Sequence, residues 1–303
     1  MRYGRYRFIG SMLVVPLALY AVFVLSPYAQ SIYISFTQWS GFTSNKQWVG
    51  LSNYRTLIHD DTFWTSVEHN LIALIVLPVV TVALGLFFAT MLNVGGKKGK
   101  AAVQGVRGSS FYKVVYFFPY VLSIVVIGVL WSFIYDSTSH GLLNGVLGWF
   151  GGRVDWLGDT STAFWAILVV MIWTSVGFYV VLFSAAMGSI PTEMFEAALL
   201  DGSDRWRTFW RITLPLMWDS VQVGVIYIGI QALDLFALVS TMSANGDGGP
   251  DNSTQVMANY LYINAFSYNK FGYATAMGVA LLILTLVMAG VVLRFTRRER
   301  LEF

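Results

Sequence analysis

The 303-residue chain has no cysteine and only three histidines, His59, His69 and His140, scattered without a metal-ligand spacing. Disulfides, thiolate metal sites and a cysteine nucleophile are therefore excluded. A nucleotide phosphate loop needs a glycine five residues before its Gly-Lys pair and a hydroxyl just after it. Around Gly99-Lys100 those places are taken by Val94 and Ala101, so this chain does not bind ATP by that motif. What remains is the chemistry of binding. Ser220, Gly224, Tyr227, Gln231, Asp234 and Thr241, with Leu238 filling the gap, recur at helical steps and would share one helix face. Asp234 is the only acidic residue well inside an apolar stretch, where a carboxylate is costly and by default faces a bundle interior or a wet cavity.

Two readings of that face stand. Tyr227, Gln231 and Asp234 could line a path for a polyhydroxylated solute, with amide and carboxylate bonding hydroxyls and the phenol ring offering a stacking surface. Alternatively they are polar glue between helices, with Gly224 allowing close approach. A second stripe, Thr174, Gly177, Val181, Ser184 and Gly188, reads better as close helix packing. Trp131, Trp173 and Tyr179 could stack on a ligand, but such rings near the ends of apolar runs more often anchor at an interface.

The elements that would hold these residues are set by composition. Hydrophobic residues make up 56% of the chain and charged ones 12%, half of the about 25% usual in soluble domains. Six stretches are long enough to cross about 30 Å of hydrocarbon as helices: approximately 8–28, 71–92, 114–135, 163–187, 218–241 and 274–295. Runs this continuous exclude barrel strands, which alternate. Pro16, Pro78 and Pro119 would kink the first three. The first run follows Arg2, Arg5 and Arg7 and could be mistaken for a secretion signal, but its length and the lack of a clear small-residue cleavage site favour a retained helix.

Placing the N-terminus in the cytoplasm puts 15 of the 19 Lys and Arg residues inside and only Lys46, Arg55, Arg153 and Lys270 outside. Every loop then obeys the positive-inside rule. The expectation is an all-α integral membrane protein, a single domain over 1–303, with six transmembrane helices and both termini cytoplasmic. Its outer loops, about 29–70, 136–162 and 242–273, are rich in Gly, Asn, Ser and aromatic residues. They offer docking surface or serve as solvated connectors.

The inner segment from Ile190 to Met217, between the fourth and fifth spans, has its own pattern. Pro191 suits the start of a helix. A short helix runs through Glu193, Phe195, Glu196, Ala197, Ala198 and Leu199, and Gly202 sits where a left-handed residue would close it. Ser203 or Asp204 can cap a second helix bearing Trp206, Phe209 and Trp210. Two amphipathic helices with apolar faces on a water-facing loop imply a protein partner or the bilayer surface, and the residues alone do not choose between them.

The spacing Glu196-Ala197-Ala198, Gly202, then Ile212, Leu214 and Pro215 resembles the EAA loop of bacterial binding-protein-dependent ABC importer permeases. Further stretches are similar to the carbohydrate-uptake subfamily: Val49-Gly50-Leu51-Ser52-Asn53-Tyr54, Phe118-Pro119 with Trp131, Gly248-Gly249-Pro250 with Ser253-Thr254, Ala265-Phe266, and Phe271 to Ala276. The compact chain resembles lactose-type and glycerophosphate-type permeases more than the longer maltose permease.

The resemblance implies a mechanism in which the segment 190–215 couples the bundle to a separate cytoplasmic ATPase. Closure of two such ATPases would move it as a lever between inward-open and outward-open states. It also implies a second homologous permease, an extracytoplasmic solute-binding protein and the bacterial cytoplasmic membrane as location, with no cofactor, no nucleic acid and no covalent step on this subunit. The implied substrate is a sugar or oligosaccharide, or alternatively glycerol-3-phosphate or its diesters. A stand-alone secondary transporter would be expected to show coupling charges or inverted repeats, and neither is evident. An intramembrane enzyme lacks its nucleophile–base or metal constellation.

Overall fold

The computed structural model describes residues 2–94, 105–243 and 246–296. Lys97, Lys98, Lys100, Arg297, Arg298 and Arg300 lie outside these residues. The described chain is mostly helical, with one departure from the expected all-α reading: an antiparallel pair, β1 (Thr37–Gln38) with β2 (Gln47–Trp48), in the first connecting loop. Two compact units are formed, Met1–Trp64 with Tyr260–Leu284 and Thr65–Asn259 with Thr285–Phe303.

In the first unit α1 (Arg2–Tyr20) continues through a π-helical turn (Ala21–Leu25) into α2 (Ser26–Ser35). The helix outruns the expected end at residue 28 because nothing in Ala29–Ser35 breaks it. Pro16 does not interrupt it either. In the most apolar part of Ile9–Ser35 no residue is buried within the chain, so Met12, Val14, Leu17 and Phe23 need an apolar surrounding from elsewhere. Beyond the β pair, α3 (Ser52–Ile58) leads to α4 (Asp61–Val94). Asn53 Nδ2 donates to the carbonyls of Ser35 and Thr37, at 2.8 and 2.9 Å, and ties α3 back to α2.

α4 runs unbroken through Pro78 for 34 residues, about 51 Å at 1.5 Å per residue. That exceeds the hydrocarbon thickness, so its first ten residues extend past the expected span over 71–92.

The second unit is built round α8 (Ala163–Gly188), whose bounds match the expected 163–187 and whose Ile167, Tyr179 and Phe183 are fully buried. Glycines let neighbours close on it. A Cβ on Gly85 of α4 would lie 2.6 Å from Tyr179 Cβ, and one on Gly224 would lie 3.3 Å from the Tyr179 and Phe183 rings. Gly177 meets α5 (Ser109–Val121), where an added Cβ would fall 1.8 Å from the Tyr116 carbonyl oxygen. The small-residue stripe is thus a packing seam at Gly177. At Gly188 nothing lies within 4 Å.

Two expected spans are not straight rods. The stretch 114–135 is α5 and α6 (Ile124–Ile134), bent by 96° at Leu122-Ser123, three residues after Pro119. The stretch 218–241 begins after a 73° bend at Met217 and stops again at Asp234, giving α12 (Trp218–Leu233) and α13 (Phe236–Met242). Hydrophobic length alone shows neither break, because both halves of each pair are apolar.

The break after α12 frees carbonyls that hydrocarbon would leave unpaired. Asn70 of α4 meets this need. Its Nδ2 donates to the Ala232 and Leu233 carbonyls at 3.2 and 3.5 Å, and its Oδ1 accepts from the N–H of Met257 at 2.8 Å. Beside it His69 stacks on Phe164, ring centroids 4.5 Å apart, with Nδ1 2.8 Å from the Gln255 carbonyl oxygen. Between Leu74 and Met288 there is just room for Gly229, also on α12.

The connection that follows α13 lies partly in this interior. Gly248 and Gly249 both hold positive φ, at 89° and 79°, and crowd the side chains of Gln255 and Thr254. Buried Gln255 accepts from Asn259 Nδ2 at 2.8 Å, and Thr254 Oγ1 pairs with Ser243 Oγ at 2.9 Å. α14 (Met257–Tyr262), a π-helical turn (Ile263–Ser267) and α15 (Phe271–Thr296) complete the chain, the last containing the expected 274–295.

Candidate functional site

Two places bring the singled-out residues together. The first is the segment 190–215. Pro191 stands just before α9 (Thr192–Leu200), so it caps the helix and does not begin it. Phe195 and Ala198 turn inward, while Glu196 and Ala197 are exposed and Leu200 is 90% exposed.

Gly202 ends α9 with φ +72, its N–H donating to the Leu199 carbonyl at 3.0 Å, and the Ser203 N–H donates to the Ala198 carbonyl at 2.9 Å. This pair of bonds is the Schellman closure, and it needs a left-handed residue at its centre. Of the two expected caps Asp204 is the one used: its Oδ1 accepts from the Arg207 N–H at 2.7 Å and starts α10 (Arg205–Thr208).

α10 passes through a π-helical turn (Phe209–Thr213) into α11 (Leu214–Leu216). Ile212 and Leu214 are half-buried and Pro215 is exposed. Trp206 and Trp210 meet edge to face at 5.5 Å, and Phe209 meets Trp210 at 5.3 Å. Leu199, Leu200, Trp206 and Trp210 therefore present an exposed apolar surface on two short helices clamped by a fixed turn.

The second place is on α12. Tyr227, 40% exposed, faces Tyr120 of α5 with hydroxyls 3.0 Å apart. Phe178 of α8 touches both rings, at 5.0 Å from Tyr120 and 5.5 Å from Tyr227. The Gln231 side chain also reaches the Tyr120 hydroxyl, and its Oε1 is buried with no hydrogen-bond partner among the described residues. Buried Tyr179 carries a second such atom, its hydroxyl oxygen. Both atoms are closed off from solvent, so the part of this wall that a ligand could reach is the half-exposed Tyr227 ring.

The expected face of the fifth span is realised only in part. Tyr227 and Gln231 stay together, but the helix ends at Asp234, which is exposed at its C-terminus. Leu238 and Thr241 belong to α13 instead. Thr241 packs on Gly128 of α6, 3.0 Å from where a Cβ would sit, and Leu238 is buried in the core. The break removes them from the face that helical spacing assigned.

Tyr120 and Phe178 were not singled out, because each is one aromatic among many in an apolar run. His69 and Asn70 stood at the edge of the second span and read as connector. Their only signal was two polar residues directly ahead of the longest apolar helix. Asp60 was missed too. Its Oδ2 accepts from the hydroxyls of Tyr260 at 2.7 Å and Tyr273 at 2.5 Å, and its Oδ1 from the Phe63 N–H at 3.1 Å. Burial, with the Asp60 carboxylate beside it, pushes the Tyr260 phenol up to about 12. The histidines serve separate local structures: His59 Nδ1 lies 2.8 Å from the Arg55 carbonyl oxygen, and His140 sits in the loop before α7 (Leu142–Gly148).

Residues 71–301 match the family described as "Binding-protein-dependent transport system inner membrane component". The chain is 42% identical over 301 residues to the diacetylchitobiose uptake system permease protein NgcF of Streptomyces coelicolor, covering 98% of this chain and 84% of that one. It is 31% identical to the multiple sugar-binding transport system permease protein MsmF of Streptococcus mutans, covering 95% and 94%. The fold is that of a chain in the crystal structure of a bacterial alginate ABC transporter in complex with alginate pentasaccharide-bound periplasmic protein: TM-score 0.80, 21% identity, covering 97% and 96%. With apolar helices of membrane-crossing length and a family match over most of its length, the chain belongs to the inner-membrane components of binding-protein-dependent transport systems, as a multi-pass protein of that membrane.

Proposed function

We propose that the chain is the permease subunit of an ATP-driven importer carrying a sugar or oligosaccharide across the cytoplasmic membrane. The observation that carries the reading is the segment 190–215: a glycine-locked helix pair whose apolar side chains face solvent. Glu196, Ala197, Ala198 and Gly202 would seat in a groove of a separate cytoplasmic ATPase, and Ile212, Leu214 and Pro215 would pass the movement into α12. ATP hydrolysis belongs to that partner, and this subunit makes and breaks no covalent bond.

The full assembly would contain a second homologous permease, two ATPases and an extracytoplasmic solute-binding protein. The four unbroken helices and two bent pairs are consistent with six spans in one transmembrane domain, both termini cytoplasmic. The excess of Lys and Arg in alternate loops supports that orientation. Tyr227 and Gln231, with Tyr120 and Phe178, would form part of the solute path, and Asp234 would stand at its edge. The names of the relatives, which take up diacetylchitobiose and multiple sugars, favour a carbohydrate over a glycerophosphate.

The test is ATP-driven uptake of labelled diacetylchitobiose into vesicles holding this chain, with its partners added one at a time. Uptake is expected only when the second permease, the ATPase and the binding protein are all present. Uptake by this chain alone would defeat the reading.

A further inference from the structure

We infer that a cavity in the first unit, distant in sequence from the path on α12, is a second binding site, and that it takes a neutral sugar unit. It encloses about 490 Å³, enough for a small ligand. Its wall joins β1 and the loop after it, α3, Asp60 just before α4, α14 with the turn that follows it, and the start of α15, so the two stretches Val49–Tyr54 and Phe271–Ala276 meet there. Gly272 permits this meeting: a Cβ on it would fall 1.9 Å from the Thr37 carbonyl oxygen.

The lining is unlike that of an apolar ligand pocket, since most of its side chains donate or accept hydrogen bonds. Its charges are one of each sign, and they do not meet. Asp60 is held by the Tyr260 and Tyr273 hydroxyls and the Phe63 N–H. Lys270 makes no ion pair among the described residues, and its ammonium lies 5.8 Å from the Tyr268 ring. The Gln38 amide, also on the wall, has no hydrogen bond of its own among the described residues.

An anion would need surplus positive charge on the wall: the Asp60 carboxylate offsets the Lys270 ammonium, and Lys46, which is not part of the wall, is taken up over the Trp39 ring at 4.3 Å. A polyol needs both donors and acceptors fixed in place, and Lys270, Gln38 and the Asp60–tyrosine group supply both. Trp39, held by Nε1 to the Thr43 carbonyl at 2.7 Å, adds a ring to the wall. The inference rests on the orientation proposed above, which puts this cavity on the side where a binding protein releases solute.

The full-length chain in lipid nanodiscs is tested by saturation-transfer NMR with diacetylchitobiose, maltose and trehalose. At least one sugar is expected to receive transfer. The paired change Gln38→Ala with Lys270→Met should weaken its binding by about tenfold, as loss of two hydrogen bonds would. Thr56→Trp, whose ring would fill the cavity, should remove the transfer that remains in a chain also carrying Tyr227→Ala and Gln231→Ala, where the path on α12 no longer contributes. Arg153→Gln, outside the cavity, should leave binding unchanged.

Absence of transfer to all three sugars overturns the inference, as does full binding by the paired and Thr56 variants, or displacement of the sugar by inorganic phosphate. Uptake by the assembled importer separates the two readings. Cavity variants that transport with wild-type KM sink this site and leave the importer standing. Loss of all uptake in the wild type, with NMR binding intact, does the reverse.

Discussion

At the scale of single residues, three positions carry distinct consequences. Gly202 holds φ +72 in open space, so a substitution there meets backbone strain without a clash. A left-handed non-glycine residue costs about 1–2 kcal/mol, enough to loosen the closure of α9. Gly202→Asp is expected to leave membrane insertion and expression unchanged while uptake falls by about tenfold. Wild-type uptake in that variant would remove the lever assignment.

Asn70 is the opposite case, a residue whose worth lies in burial. Asn70→Leu would strand carbonyls of α12 and the Met257 N–H, at about 1–3 kcal/mol for each group. The expected outcome is a clearly lower unfolding midpoint of the purified chain in detergent, followed by tryptophan fluorescence. Asp234→Asn keeps the shape and removes the charge. If Asp234 borders the solute path, KM for uptake should rise several-fold, and unchanged KM and rate would return it to the reading as polar glue between helices.

At the scale of elements, helical length and polarity were legible and helical continuity was not. The fourth span and the last lie within a few residues of their expected bounds, because composition alone marks where lipid-compatible chain begins and ends. The break at Asp234-Leu235 escaped notice, since it depends on a distant partner, Asn70, that takes up the freed carbonyls, and the one at Leu122-Ser123 was expected only as a proline kink. Pro119 hinted at the first, but Pro16 and Pro78 sit in helices that continue.

The helix–turn–helix was readable in detail because capping is local: Gly202 and Asp204 act on neighbours within five residues. The ring cluster of Tyr120, Phe178 and Tyr227 was one-third legible, Tyr227 alone, because only helix crossing brings the others in. That crossing has a sharp test. Gly177→Val would drive a side chain into the Tyr116 carbonyl, a backbone atom that cannot rotate away. Overpacking of this kind costs about 1–3 kcal/mol or more. Gel filtration is expected to show loss of the monodisperse peak, and a normal elution profile would mean that α5 and α8 are not so closely apposed in the folded protein.

At the scale of the whole molecule, the proposal stands or falls on sidedness. Single cysteines can be placed freely in a chain that has none. One at Leu200, 90% exposed, should react with a membrane-impermeant thiol reagent only in inverted vesicles, and one at Lys46 only in intact cells. Labelling of residue 200 from outside would leave no ATPase able to reach the loop. The contact at Gly177 also bears on how such a molecule could move. Where backbone presses directly on backbone there is no side chain to slide or repack, so α5 and α8 must travel as a single plank. Within the second unit, the joints at residues 122–123, 217 and 234 are then where a proposed movement of these helices would be taken up, three swivels beside one rigid pair.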